Sequence, residues 1–154
     1  MSVPTRLLAL CLPLALLACG CGEAPPRLTE VEGTVLLNNK PLPQALVRFV
    51  PEANGPGASL VATGITDDKG HFRLICDVKK EPGAVIGKNR VVVINAPPPA
   101  EARGLSGKAQ EAGARYEASL KNRPIPEAYS SAVKTPVTVE VKPEQKEYTI
   151  KLTR

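Results

Sequence analysis

Side chains able to do chemistry are few in this 154-residue chain. There are cysteines at 11, 19, 21 and 76, one histidine (His71), an adjacent carboxylate pair (Asp67-Asp68) and a serine set among glycines in Gly104-Leu105-Ser106-Gly107. A strand-to-helix nucleophile turn needs glycine two residues after its serine and a histidine later in the chain. Here Lys108 holds that place and His71 comes earlier. Calcium in a loop needs more oxygen ligands, at set spacing, than Asp67 and Asp68 supply. That pair therefore reads as a turn, with Asp67 bonding its own backbone and Gly70 supplying the positive φ that ends it. His71 has no second histidine beside it and alternates onto a solvent face. Phosphate loops, dinucleotide fingerprints and CxxC pairs are missing from the sequence. The expectation is a protein that is not an enzyme and that uses no metal and no cofactor.

The N-terminal cysteines sit around an apolar run, Leu7 to Ala18, that follows Arg6 and carries no charge. A membrane-spanning helix needs about 20 apolar residues, so this run is too short to span and reads as the core of a signal peptide over residues 1–18. It ends in Leu16-Leu17-Ala18-Cys19. This resembles the lipobox of bacterial lipoproteins, in which the cysteine is lipidated and becomes the new N-terminus. Cys19 fits that pattern better than Cys11 or Cys21. The alternative is a plain secretory signal cleaved near Ala18. Lipid chains contribute ~0.8 kcal/mol per buried methylene, and more than one chain anchors stably. Residues 19–30, with Gly22, Pro25 and Pro26, read as a flexible tether. The stretch from Gly20 to Glu30 spans at most ~36 Å when extended. The expected partner is thus the membrane itself, through the N-terminal lipid. Gly20 replaces the Asp that commonly retains lipoproteins at the inner membrane, which favours the outer membrane, periplasmic side, of a cell envelope.

Composition sets what must position any site. Aromatics are 3%, Trp is absent, and 16 Pro and 12 Gly suit short strands and turns. The net charge of +5 is spread along the chain with no basic block interleaved with aromatics, so nucleic acid is not an expected partner. Val31, Gly33, Val35 and Leu37, then Ala45, Val47 and Phe49, alternate about Asn38-Asn39-Lys40-Pro41 and read as a strand, turn, strand hairpin. A third strand is expected over 59–65, and a second hairpin follows, in which Phe72, Leu74 and Cys76 share a buried face. Cys76 is then an inert core thiol, and whether it pairs with Cys21 stays open. Arg90 to Asn95 is apolar on both faces and suits a central strand. Val137, Val139 and Val141, then Tyr148, Ile150 and Leu152, alternate in the last two strands. The tally is an all-β, seven-stranded antiparallel sandwich over residues 31–154.

Before the last two strands lies a long insertion, 97–123. Leu105, Ala109, Ala112, Tyr116 and Leu120 recur at steps of three and four after a plausible cap, Ser106, but Gly107 and Gly113 weaken the helix. A partly ordered surface loop is the alternative. Loops on rigid sandwiches commonly carry recognition. The candidate partner-binding residues are accordingly Arg103, Lys108, Arg115, Tyr116, Lys121 and Arg123, facing an envelope protein or polymer.

The order of motifs also carries a resemblance. Val31-Glu32-Gly33-Thr34-Val35, Lys40 to Phe49, and Gly64-Ile65-Thr66-Asp67-Asp68-Lys69-Gly70-His71-Phe72-Arg73-Leu74 resemble the carboxypeptidase regulatory-like domain. Gly83-Ala84, Gly87 and Ile125-Pro126-Glu127-Ala128-Tyr129 extend the likeness to small bacterial lipoproteins carrying that one domain. The resemblance implies a transthyretin-like, Ig-like seven-stranded sandwich serving as a folding, binding or spacer module. The chain departs from the pattern at Asn39, where the turn usually has Gly, and at Asn89, where the strand usually opens with an aromatic. Transthyretin-like hydroxyisourate hydrolases use several histidines and a Tyr-Arg-Gly-Ser ending, whereas this chain has His71 alone and ends Lys151-Leu152-Thr153-Arg154. A Lys–Asn isopeptide crosslink would need a core-facing lysine between Val31 and Leu37, and there is none. The functional expectation is a membrane-anchored lipoprotein acting as a non-catalytic binding module. The alternative is a structural spacer or assembly domain, and the oligomeric state is left open.

Overall fold

The structure, a computed structural model, describes residues 25–154. The expected signal peptide, the lipidation site Cys19 and both Cys11 and Cys21 lie outside the described residues. The chain runs β1 (Leu28–Thr29), β2 (Glu32–Leu37), β3 (Lys40–Pro41), β4 (Ala45–Pro51), β5 (Ala62–Ile65), β6 (His71–Arg73), β7 (Ile75–Cys76), β8 (Ala84–Val85), β9 (Gly87–Asn95), α1 (Gly107–Ser119), β10 (Thr138–Val141) and β11 (Glu147–Leu152). One antiparallel sheet has the order β10-β9-β4-β5-β7. The other has the order β11-β2-β3, with β6 also paired to β2. The short strands β1 and β8 form a third, two-stranded pair.

Alternation fills the space between the two larger sheets. Val35 and Leu37 of β2, Val47 and Phe49 of β4, Val91 and Val93 of β9, and Ile150 and Leu152 of β11 are all fully buried there. The Phe49 ring lies 6.2 Å from Phe72 and 6.5 Å from Tyr148, the latter edge-on at 73°. Each such side chain contributes roughly 1.5–3 kcal/mol on burial. The architecture is therefore an all-β sandwich, as its alternation implied.

The pairing differs from the expectation in four places. Strands β2 and β4 do not form a hairpin: β2 turns through Asn38 and Asn39, at φ 51° and 62°, only into the short β3. The chain then crosses at Leu42–Gln44 to the opposite sheet. Thr66, 1% exposed, holds that crossing by donating its hydroxyl to Leu42 O at 2.7 Å and accepting from Ala45 N at 2.8 Å. The expected second strand, 71–76, is likewise split, since β6 pairs β2 while β7 pairs β5. Phe72 and Leu74 enter the main core, and Cys76 a satellite cluster with Leu60 and Val85. Third, β11 runs parallel to β2, Glu147 beside Glu32 through Leu152 beside Leu37. It must, because the 143–146 turn carries the chain from β10 in one sheet to the other, entering at the end where β2 begins. The Tyr148 hydroxyl fixes this corner, accepting from Lys142 N at 3.0 Å and donating to Gln145 O at 3.1 Å. Fourth, Leu28 and Thr29, assigned to the tether at the sequence level, pair with Val85 and Ala84.

The insertion forms α1, with the Ser106 hydroxyl oxygen accepting from Ala109 N at 3.2 Å as its N-cap. Ala109 and Ala112 are buried. Leu105 does not join that face: it precedes the cap and is 95% exposed.

Candidate functional site

The chain enters the sandwich at Arg27, whose carbonyl accepts from Ile86 N at 3.0 Å just before β9 starts. Strands β2 and β9 both run from this pole to the far one, where Asn38 and Asn95 stand and the insertion is attached. Three side chains fasten the insertion there. Asn122 Nδ2 donates to Leu37 O at 2.8 Å and Lys40 O at 3.2 Å, closing over the β2–β3 turn. Arg123 Nη2 donates to Pro43 O at 2.6 Å and Gln44 O at 2.8 Å, its Nη1 to Lys121 O at 2.7 Å and its Nε to Asn95 Oδ1. Burial pushes the Arg123 guanidinium below its ordinary pKa, and Tyr116 opposes that shift. The Tyr116 hydroxyl donates to the carbonyl of Ala96, pinning the helix to the end of β9.

Between the pinned helix and the sandwich runs a groove of about 360 Å³. Ile65, Pro97, Pro99, Ala112 and Tyr116 give it apolar walls, and Gln44, Glu101, Arg115 and Ser119 give it polar groups. Ile65 is 51% exposed although it closes a strand, so its apolar surface faces this opening. Of the six residues expected to contact a partner, the groove gathers Arg115 and Tyr116 only. Arg115 also pairs with Glu111 at 2.8 Å, one turn earlier on α1. Arg103 donates to Pro98 O at 2.9 Å. Lys108 and Lys121 are exposed and do not line the groove. Arg123 serves the fold, holding backbone carbonyls from two loops. The groove residues that sequence reasoning missed are chiefly Ile65, Pro97 and Pro99. The proline run at 97–99 carries a signal in the sequence, a rigid wall directly after a strand.

Nothing in the groove places a nucleophile against a base, and among the described residues no three His, Cys, Asp or Glu side chains gather at metal-binding distance. Its lining is that of a mostly apolar trough with a few polar side chains. A second recess, about 440 Å³, lies at the chain-entrance pole between Glu30, Val31, Arg73, Pro82 and Lys146. Its charges satisfy one another: Lys146 pairs with Glu30 at 2.7 Å and Arg73 with Glu32 at 2.9 Å. The Lys146 ammonium accordingly lowers the Glu30 carboxyl pKa, and Glu30 raises that of Lys146. No family model, curated protein or solved structure matches the chain.

Proposed function

We propose that this chain is a lipid-anchored protein of the cell envelope whose sandwich is a non-catalytic binding module, with the groove under α1 as its capture site. The observation that carries the reading is the groove itself, an apolar trough held open by Tyr116, Asn122 and Arg123 at the pole opposite the chain entrance. An anchor at Cys19 would attach at the opposite pole, away from the groove. The carboxypeptidase regulatory-like, transthyretin-like assignment belongs to the same proposal. It is supported by the strand count: with β6 and β7 taken as one interrupted strand and the two-residue β1, β3 and β8 set aside, seven remain.

Two measurements test this. The intact mass of membrane-extracted protein is expected to equal a chain starting at Cys19 plus acyl groups, and Cys19→Ser is expected to release it; an unmodified mass refutes the anchor. A photo-crosslinking residue replacing Ile65 is expected to give one discrete adduct in the envelope, with no such adduct from Val78, an exposed position away from the groove. The same adducts from both positions, or none from Ile65, refute the groove. A second reading, an assembly domain, draws on a separate observation, the free edge of β11.

A further inference from the structure

Among the described residues strand β11 closes its sheet and pairs with another strand along one edge alone. The even-numbered residues bond to β2: Lys146 O accepts from Glu32 N and Leu152 O from Asn38 N, both at 2.9 Å. Backbone groups in a strand alternate between its two sides, so Glu147, Thr149 and Lys151 turn theirs outward. Among the described residues the partners on that side are Gln145 Nε2, donating to Glu147 O at 3.1 Å, and, just past the end of the strand, the Tyr129 hydroxyl on the Thr153 backbone. The side chains of the same three residues are exposed on the outer face of the sheet. Glu147 and Lys151 have no ion-pair partner among the described residues.

We propose that the β11 edge pairs antiparallel with β11 of a second copy, about a two-fold axis through Thr149. In that register Thr149 faces Thr149, and Glu147 of each copy faces Lys151 of the other. Each unpaired charge then gains one partner, in two symmetry-related pairs. Directly opposed residues in an antiparallel pair are near neighbours, where opposite charges attract and like charges repel. Sliding by one pair of residues in either direction sets each charge against an uncharged residue, so the charges select this register. Charges placed only to keep an edge solvated need no such symmetry. The self-complementary patch is what a closed two-fold interface requires, and β2 and β11 of both copies become one continuous sheet. The axis runs perpendicular to the sheet, so the two chain entrances lie at opposite ends of the joined edge. Both reach a flat surface when the strands lie along it. This proposal is independent of the groove, which stands at the pole and not on this edge.

Sedimentation velocity of the full-length chain in detergent, over a concentration series, tests it. The wild type is expected to be a dimer. Glu147→Lys and Lys151→Glu each create two like-charge contacts and are expected to weaken the dimer at least ~10-fold. The double variant E147K/K151E recreates the pairs with signs exchanged and is expected to restore it. A monomeric wild type, single variants as tight as the wild type, or a double variant as weak as the singles overturns the proposal. Thr149→Cys in a Cys21→Ser background supplies a second readout. The hydrogen-bonded pair brings the two Cα atoms to about 5.5 Å, within disulfide range. Oxidation is expected to link that variant as a dimer and to leave Arg48→Cys, exposed in the middle of the other sheet, unlinked. Equal linking of both, or of neither, counts against the interface.

Discussion

The Asp67 carboxylate accepts from two backbone N–H groups, those of Lys69 and His71, each at 2.9 Å. The His71 bond is the larger cause of a pKa held below the ordinary aspartate value. A folded-state pKa below the unfolded one means stability that is complete above the unfolded value and lost as pH falls through the folded value. Asp67→Asn is therefore expected to have a lower melting temperature than the wild type at neutral pH. The two curves should converge as the solution is acidified through the carboxylate range; a gap independent of pH would refute this account. Arg123 is tested differently. Its guanidinium serves four backbone and side-chain oxygens, so Arg123→Ala is expected to cost about 2 kcal/mol in urea unfolding. Arg123→Lys should recover only part, because an ammonium lacks the planar fork. A partner-binding arginine would show no such loss. The turn role of Asp67 was legible from Asp and Gly at their spacing. The clamp role of Arg123 was not, since its carbonyl partners lie at Pro43 and Gln44, far away in sequence. Asn89 was also illegible: it is fully buried, its amide donating to Val85 O and Gly87 O while Oδ1 has no partner among the described residues.

Helix α1 and the β2–β3 turn show what local chemistry can settle at the level of elements. Ser106 caps α1 despite the glycines at 107 and 113, and Ser106→Ala is expected to cost about 1 kcal/mol. Helical circular dichroism at moderate temperature should fall before the strand signal does. At the turn, Asn38 and Asn39 both take positive φ, the two-residue hairpin geometry in which Asn-Gly is strongest. Asn39→Gly is expected to match or exceed the wild type, with Asn39→Ala about 1 kcal/mol below it in chemical denaturation. A ranking with Ala above Gly would contradict the turn type. Alternation made the buried faces of β2, β4, β10 and β11 readable, because period two depends only on which side is apolar. The partners were not readable. Val35 and Val47 look alike to a pattern, yet they line opposite sheets, and the crossing between them depends on Thr66 and Arg123 arriving from elsewhere. The groove was legible only through its helix. Its other wall is assembled from Ile65 and the 97–99 prolines, brought together by the sheet.

For the whole molecule, β11 is the test of cooperativity. Tyr148, Ile150 and Leu152 are all in the core, and burying three such side chains contributes roughly 5–9 kcal/mol. That is comparable to the full stability of a small domain. Removing residues 146–154 is expected to abolish the cooperative thermal transition, and a truncated chain that still melts sharply would show the sandwich closes without its last strand. The parallel pairing of β2 with β11 also has a temporal side. A chain made from its N-terminus presents β2 early, with one edge and one apolar face unfilled. The residues that complete that strand are among the last to be translated. At ~5–20 residues per second the interval between residues 32 and 147 is on the order of ten seconds, far longer than hairpins take to form elsewhere in the chain. Through that interval no earlier strand among the described residues holds that edge of β2, and the waiting edge is open to a neighbour's strand or to a protease. The final turn at 143–146 and the strand it delivers therefore act as the release point of biosynthesis: until they have emerged, the domain is a nascent intermediate to be sheltered, and once they have, β2 and β11 shut together.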